Sequence, residues 1–121
     1  MFENVDLEDS WVLNWHVNTE RQQLIFDLEA SLWEGHQYYT APLPEEYTCY
    51  KNAQLIFENV NNIDGLLSME NVKPTVDSDG SMDYGNIEGL RQGEKGIYKL
   101  DGEFGEVTVA CKDIRLEFIN H

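Results

Sequence analysis

Three aspartates stand around one glycine in V76-D-S-D-G-S-M-D-Y-G85, where Asp77, Asp79 and Asp83 flank Gly80. Carboxylates at that density are what a calcium loop uses. An EF-hand loop needs oxygen ligands at positions 1, 3 and 5, glycine at 6 and a bidentate glutamate at 12. Aligning Gly80 with position 6 puts Thr75 first and Asn86 last. Aligning Asp77 with position 1 ends correctly on Glu88, but Met82 then replaces the glycine and Ser81 a ligand. Neither alignment is flanked by a helix pattern. The stretch therefore predicts a turn, with aspartate side chains capping nearby backbone N–H groups and Gly80 at positive φ. Asp77, Asp79 and Asp83 stay as weak candidates for a cation.

Other chemistry finds less support. His16, His36 and His121 have no metal-ligand spacing, and Cys49 and Cys111 have no C-x-x-C partner. Of the serines Ser10, Ser31, Ser68, Ser78 and Ser81, none stands in a G-x-S-x-G elbow, and no G-x-x-x-x-G-K-[ST] loop is present. With 23 Asp and Glu residues, some pair always resembles an acid/base dyad, so carboxylate pairs mark no position. The expectation is a chain without catalytic residues or cofactor.

One cluster is suited to binding. W33-E-G-H-Q-Y-Y-T-A-P-L-P-E-E-Y47 gathers Trp33, Tyr38, Tyr39 and Tyr47 with Glu34, Glu45 and Glu46. Tyrosine and tryptophan are frequent interface anchors, and acidic neighbours complement a basic target. These seven residues are the candidate partner-binding set. The competing reading is that a loop of this length folds over a sheet edge and packs its rings there.

The composition sets what such a partner could be. The 121 residues fit one domain, 1–121, with 41% hydrophobic residues and 5 Phe, 3 Trp and 6 Tyr arguing for a packed core. Eight basic residues against 23 acidic ones give a net charge of −15. A fold of this size exposes roughly 7,000 Å², or one net negative charge per ~450 Å², so a patch of about 800 Å² is acidic wherever it lies. That disfavours nucleic acid and anionic membranes and is compatible with a basic protein or a cation; the plainer reading is that the acid only keeps the protein soluble and monomeric. The opening M1-F-E-N-V-D-L-E-D-S10 has neither the basic nor the apolar region of a secretory signal, and no apolar run is long enough to span a bilayer. Two cysteines in strand-like surroundings suggest buried thiols in a reducing compartment, with a single disulfide as the alternative, and the expectation is a cytoplasmic protein.

The positioning elements follow from a period of two. In W11-V-L-N-W-H-V17 the odd positions form an apolar face, with Val12 as the exception. After N18-T-E-R21 the even positions Leu24, Phe26, Leu28, Ala30 and Leu32 alternate with polar ones, which predicts an antiparallel hairpin. Strand pattern returns at 47–60, where Ala53, Leu55 and Phe57 share a face, and N59-V-N-N-I-D-G65 supplies turn residues. The stretch 66–74 fits a short strand or a helical turn, and 82–90 is a strand pattern broken by two glycines. G96-I-Y-K-L100 and E106-V-T-V-A-C-K112 flank D101-G-E-F-G105; a loop over 101–104 would set Lys99 opposite Glu106 and Tyr98 opposite Val107. The apolar parity then changes from odd (Val107, Val109, Cys111) to even (Ile114, Leu116, Phe118), which predicts a bulge or a new strand near Lys112-Asp113. The fold class is all-β, a mainly antiparallel sandwich or half-barrel of about six to eight strands with little helix.

Three stretches share an order with a known group. E8-D-S-W-V-L-N-W with Q23-L-I-F-D-L, then A53-Q-L-I-F-E-N-V-N-N-I, then G96-I-Y-K-L-D-G with V107-T-V-A-C-K-D-I-R-L-E-F118 resemble small all-β bacterial immunity proteins of polymorphic toxin systems and related uncharacterised bacterial families. Those open with "H-D-S/A" before a hairpin; Glu8 stands here in place of the histidine, and Asp9 or Ser10 is expected to cap the start of the first strand. The resemblance implies stoichiometric neutralisation of a toxin domain, without catalysis or cofactor. The expectation is a non-catalytic protein-binding module, most specifically an immunity-type inhibitor of a basic effector. A structural or interaction domain, including a homodimer through an exposed strand, remains open, as more remotely does a calcium-dependent module or an enzyme.

Overall fold

Alternating polarity builds the first hairpin, and its tight turn is held by the Arg21 N–H donating to Asn18 Oδ1 at 3.2 Å, with Gln22 at φ 54°. In the computed structural model, which describes residues 2–46 and 48–119, ten strands follow in chain order. They are β1 (Val5–Asn18), β2 (Gln23–Leu32), β3 (Cys49–Glu58), β4 (Asn62–Asp64), β5 (Thr75–Val76), β6 (Met82–Asp83), β7 (Gly89–Gln92), β8 (Ile97–Gly102), β9 (Gly105–Ala110) and β10 (Asp113–Phe118). The number exceeds the expected six to eight because β4, β5 and β6 have only two or three residues each. A single 3₁₀ turn, Met69–Asn71, occupies the ambiguous stretch.

The molecule is all-β and antiparallel. Sheet order β1-β2-β3-β10 faces sheet order β4-β9-β8-β7, and β5 and β6 form a separate small hairpin. Leu24, Phe26, Leu28, Leu55 and Phe57 of the first sheet share one core with Tyr98, Leu100, Val107 and Val109 of the second. This is an open sandwich. The parity change at Lys112-Asp113 is the step from β9 in one sheet to β10 in the other, and the Lys112 N–H donates to the Glu58 carbonyl at the crossing.

Two expectations of register are corrected. In β1, Leu13 is an extra residue between the pairs Val12–Leu28 and Asn14–Asp27. Such a bulge reverses the faces, so Val12 joins Trp15 in the core while Trp11, opposite Glu29, turns outward; Val17 keeps the face of Trp15, opposite Leu24, but lies near the hairpin end and is exposed. In the β8–β9 hairpin the turn is Glu103-Phe104 rather than 101–104, and Lys99 pairs with Thr108, Tyr98 with Val109. Both registers keep the same residues inward; burial of the Phe104 ring decides between them. Gly102 makes this possible, since a Cβ there would overlap that ring.

The segment expected as a plain turn also carries β4, whose Ile63 pairs with Val109. Gly65 ends it at φ +88°, with its α-carbon so close to the Glu106 carbonyl that no side chain fits. A wider irregularity separates the pairs Asp6–Ser31 and Trp11–Glu29 in β1. Ser10, fully buried, fills it: its Oγ donates to the Asp6 carbonyl at 2.8 Å and accepts from the Ser31 N–H at 2.9 Å. Ser10 thus lies within β1 and not at its start, because the strand begins at Val5. The outer edge of β1 is met by the chain at 84–87, through Tyr84 N–H to Val12 C=O, Val12 N–H to Gly85 C=O and Ile87 N–H to Ser10 C=O.

Candidate functional site

That contact fixes the β5–β6 hairpin beside the outer face of the first sheet. Its turn is the one expected from sequence. The Asp77 N–H donates to the Ser81 carbonyl and the Gly80 N–H to the Asp77 carbonyl, both at 2.9 Å, with Gly80 at φ +89°. Asp79 Oδ1 accepts from the Ser81 N–H at 2.9 Å and from the Ser81 hydroxyl at 2.6 Å, which holds its carboxyl below the usual aspartate range. Asp83 Oδ1 accepts from the Gly85 N–H at 2.8 Å. Asp79 and Asp83 thus cap local backbone N–H groups, while the Asp77 carboxylate accepts from the Ser81 hydroxyl at 3.3 Å.

They also line a cleft. Asp77, Asp79 and Asp83 face Glu29 of β2 across an opening of about 430 Å³, with Trp11, Tyr50 and Met82 as its less polar walls. Burial pushes the Glu29 carboxyl up, and the charges of Asp83, Glu46, Asp77 and Asp79 push it the same way. Like charges crowd here without a cation of the chain among the lining residues. Among the described residues, no three His, Cys, Asp or Glu side chains converge as metal ligands. Carboxylates and rings in one cleft are groups that suit a positively charged side chain, the former for its charge and the latter for its stem and the cation's face.

The 33–47 set is divided by the structure. Tyr38 and Tyr39 are half-buried against Val5, Ala30, Leu32, Cys49 and Ala53, and cover that part of the first sheet. His36 and Tyr38 pack on Phe118, with ring centroids 4.9 and 5.3 Å away. Trp33 is 54% exposed and lines a different cleft with Phe2, Leu7 and Leu90. Glu34 and Glu45 are exposed. Glu46 accepts from the Leu43 N–H at 3.0 Å and adds its charge to the surroundings of Glu29. Tyr47 lies outside the described residues, as does His121. His16 is exposed on the outer face, opposite Ile25.

Glu29, Trp11 and Tyr50 carried no signal in the sequence. Glu29 has the same alternating surroundings as Asp27, whose carboxylate instead accepts from Gln54 Nε2 at 2.9 Å. Trp11 joins the outer face only because Leu13 is bulged. The cysteines are free and buried, and burial, with the Asp113 charge behind it, pushes the Cys111 thiol up to about 11. No helix among the described residues is long and apolar enough to cross a membrane. Comparison with known proteins found no matching family model, curated protein or solved structure.

Proposed function

We propose that this chain is a non-catalytic binding module for a basic protein, in its most specific form an immunity-type inhibitor that neutralises a toxin or effector domain in the cytoplasm. The observation that carries the reading is the crowding of four further carboxylates around half-buried Glu29 beside the Trp11 and Tyr50 rings. An inserted lysine or arginine would relieve that repulsion, and the cation–π contact would add to it. The net charge of −15 supports the same reading at long range, by steering a basic partner to the surface.

The test is capture of a partner from a lysate of the source organism on the immobilised chain, followed by titration of the captured protein against Glu29→Gln and Asp83→Asn. A basic protein bound one to one, released by salt and bound at least about tenfold more weakly by either variant, is expected for an ion-paired anchor. Equal affinity of the variants and the parent would remove the cleft from the interface. Salt-insensitive binding would remove the electrostatic reading altogether.

A further inference from the structure

Three of the four sheet edges are short or partly covered: the outer side of β1 is bonded to the chain at 84–87 through Ser10 and Val12, and β4 and β7 are edge strands of three and four residues. β10 is different: six residues, Asp113–Phe118, at the end of the first sheet, with neither proline nor glycine, and with His36 and Tyr38 packed on the ring of its last residue, Phe118. The Ile119 N–H donates to the Asn52 carbonyl at 3.0 Å, so the odd-numbered residues of β10 are the ones bonded to β3. In an antiparallel ladder the intervening residues point their N–H and C=O groups the other way. Ile114 and Leu116 therefore present their backbone groups to the side of the sheet on which, among the described residues, no strand pairs with β10.

The side chains on this strand are self-complementary. Arg115 and Glu117 project from the outer face, 48% and 55% exposed. Within the chain Arg115 pairs through Nε with Glu58 at 3.1 Å and through Nη1 with Glu117. We propose that β10 pairs with β10 of a second copy, antiparallel about a two-fold axis at Leu116, joining the two first sheets into one of eight strands. In that register Arg115 stands opposite Glu117 of the partner subunit, and the reverse pair forms by symmetry. Moving the axis by one residue, onto Arg115 or Glu117, sets like charges opposite each other. An axis on Ile114 also sets opposite charges face to face, Arg115 against Asp113, but it pairs only 113–115 within the strand, whereas the axis on Leu116 pairs 114–118, so charge and length together select this register. This pairing uses none of the acidic cleft, so it stands or falls separately from the basic-partner reading.

Salt separates the two. Copies carrying −15 repel each other, so added salt strengthens self-association, whereas it weakens binding of a basic partner. The experiment is sedimentation equilibrium of the purified chain from roughly 10 µM to roughly 1 mM, the range suited to a small interface, with sodium chloride varied. The expected result is a mass rising towards twice the monomer, more readily at high salt. Arg115→Glu and Glu117→Arg should each weaken it by about tenfold or more, and the double swap should return it to within about threefold of the parent. Circular dichroism confirms that each variant is folded. On the unaltered chain, exchange of the Ile114 and Leu116 amides should slow as concentration rises. A monomer throughout the range, a dimer indifferent to both single reversals, or a swap no better than the singles would overturn the proposal. So would exchange at Ile114 and Leu116 that is independent of concentration.

Discussion

The rings of Phe104 and Phe26 touch with centroids 4.8 Å apart and planes inclined at 59°, although Phe104 occupies a hairpin turn and Phe26 the middle of a strand in the opposite sheet. The turn of one sheet is thereby a core residue of the other. Trp15 meets the same ring edge-on at 5.9 Å and ties its indole N–H to the Leu67 carbonyl at 2.9 Å.

Phe104→Ala is expected to cost about 3–5 kcal/mol, as for a fully buried ring. Replacing Gly102 by valine should be damaging as well, because its side chain claims the space of the same ring. Urea denaturation followed by tryptophan fluorescence measures both. A cost below about 1 kcal/mol for Phe104→Ala, the range of mild core changes, would mean that the ring does not join the sheets.

Ser10→Ala is expected to cost about 1–3 kcal/mol, because it leaves the buried Ser31 N–H without its acceptor. Ser68, whose exposed Oγ accepts a long 3.4 Å bond from the Glu70 N–H, serves as the control. Its alanine variant should stay within about 0.5 kcal/mol of the parent, as surface changes do. Equal urea midpoints for the two variants would refute the bridging role of Ser10.

The pH dependence has a definite sign. Glu29 has a carboxyl raised above its ordinary 4.5, so the folded chain binds that proton more tightly than the unfolded one. Its contribution to stability is present below 4.5 and is lost as pH rises through the raised value. Asp79, lowered from 3.8, has the opposite sign: its contribution is present above 3.8 and lost as pH falls. Glu29→Gln should therefore melt higher than the parent at neutral pH, with the two curves converging in acid. Thermal melts across the acid-to-neutral range test this, and a variant that melts lower than the parent at neutral pH would show that Glu29 is not crowded.

The sequence was legible wherever a side chain's surroundings lay within its own strand. The β1–β2 turn, the shared face of Ala53, Leu55 and Phe57, and the change of sheet at Lys112-Asp113 all follow from a period of two. It misled where one residue carried a long-range duty. The period of two places Leu13 in an unbroken face that its bulge interrupts, and the burial of Phe104 outweighs the Asp101-Gly102 signal. The candidate cleft was half legible. Asp77, Asp79 and Asp83 stood out as a group, but Glu29 meets them only because the backbone at 84–87 bonds to β1, and no local pattern encodes that. The aromatic loop likewise appeared as one cluster and is divided, since Tyr38 and Tyr39 turn to cover part of the first sheet while Trp33 stays in solvent.

The strand order of the first sheet constrains how the chain can be made. Phe57 and Ile114 are neighbours across β3 and β10 yet lie 57 residues apart in the chain. At ribosomal speeds, β3 emerges about 3–11 s before its second neighbour exists. During that time β1, β2 and β3 can pair by local hairpins alone, with the far edge of β3 uncovered. The polar residues Tyr50, Asn52, Gln54 and Glu58 on one face of that strand keep it from being apolar on both sides. A nascent chain stalled before residue 113 would present β3 itself as the sticky edge, so the hazard in synthesis lies on a strand that the finished protein hides.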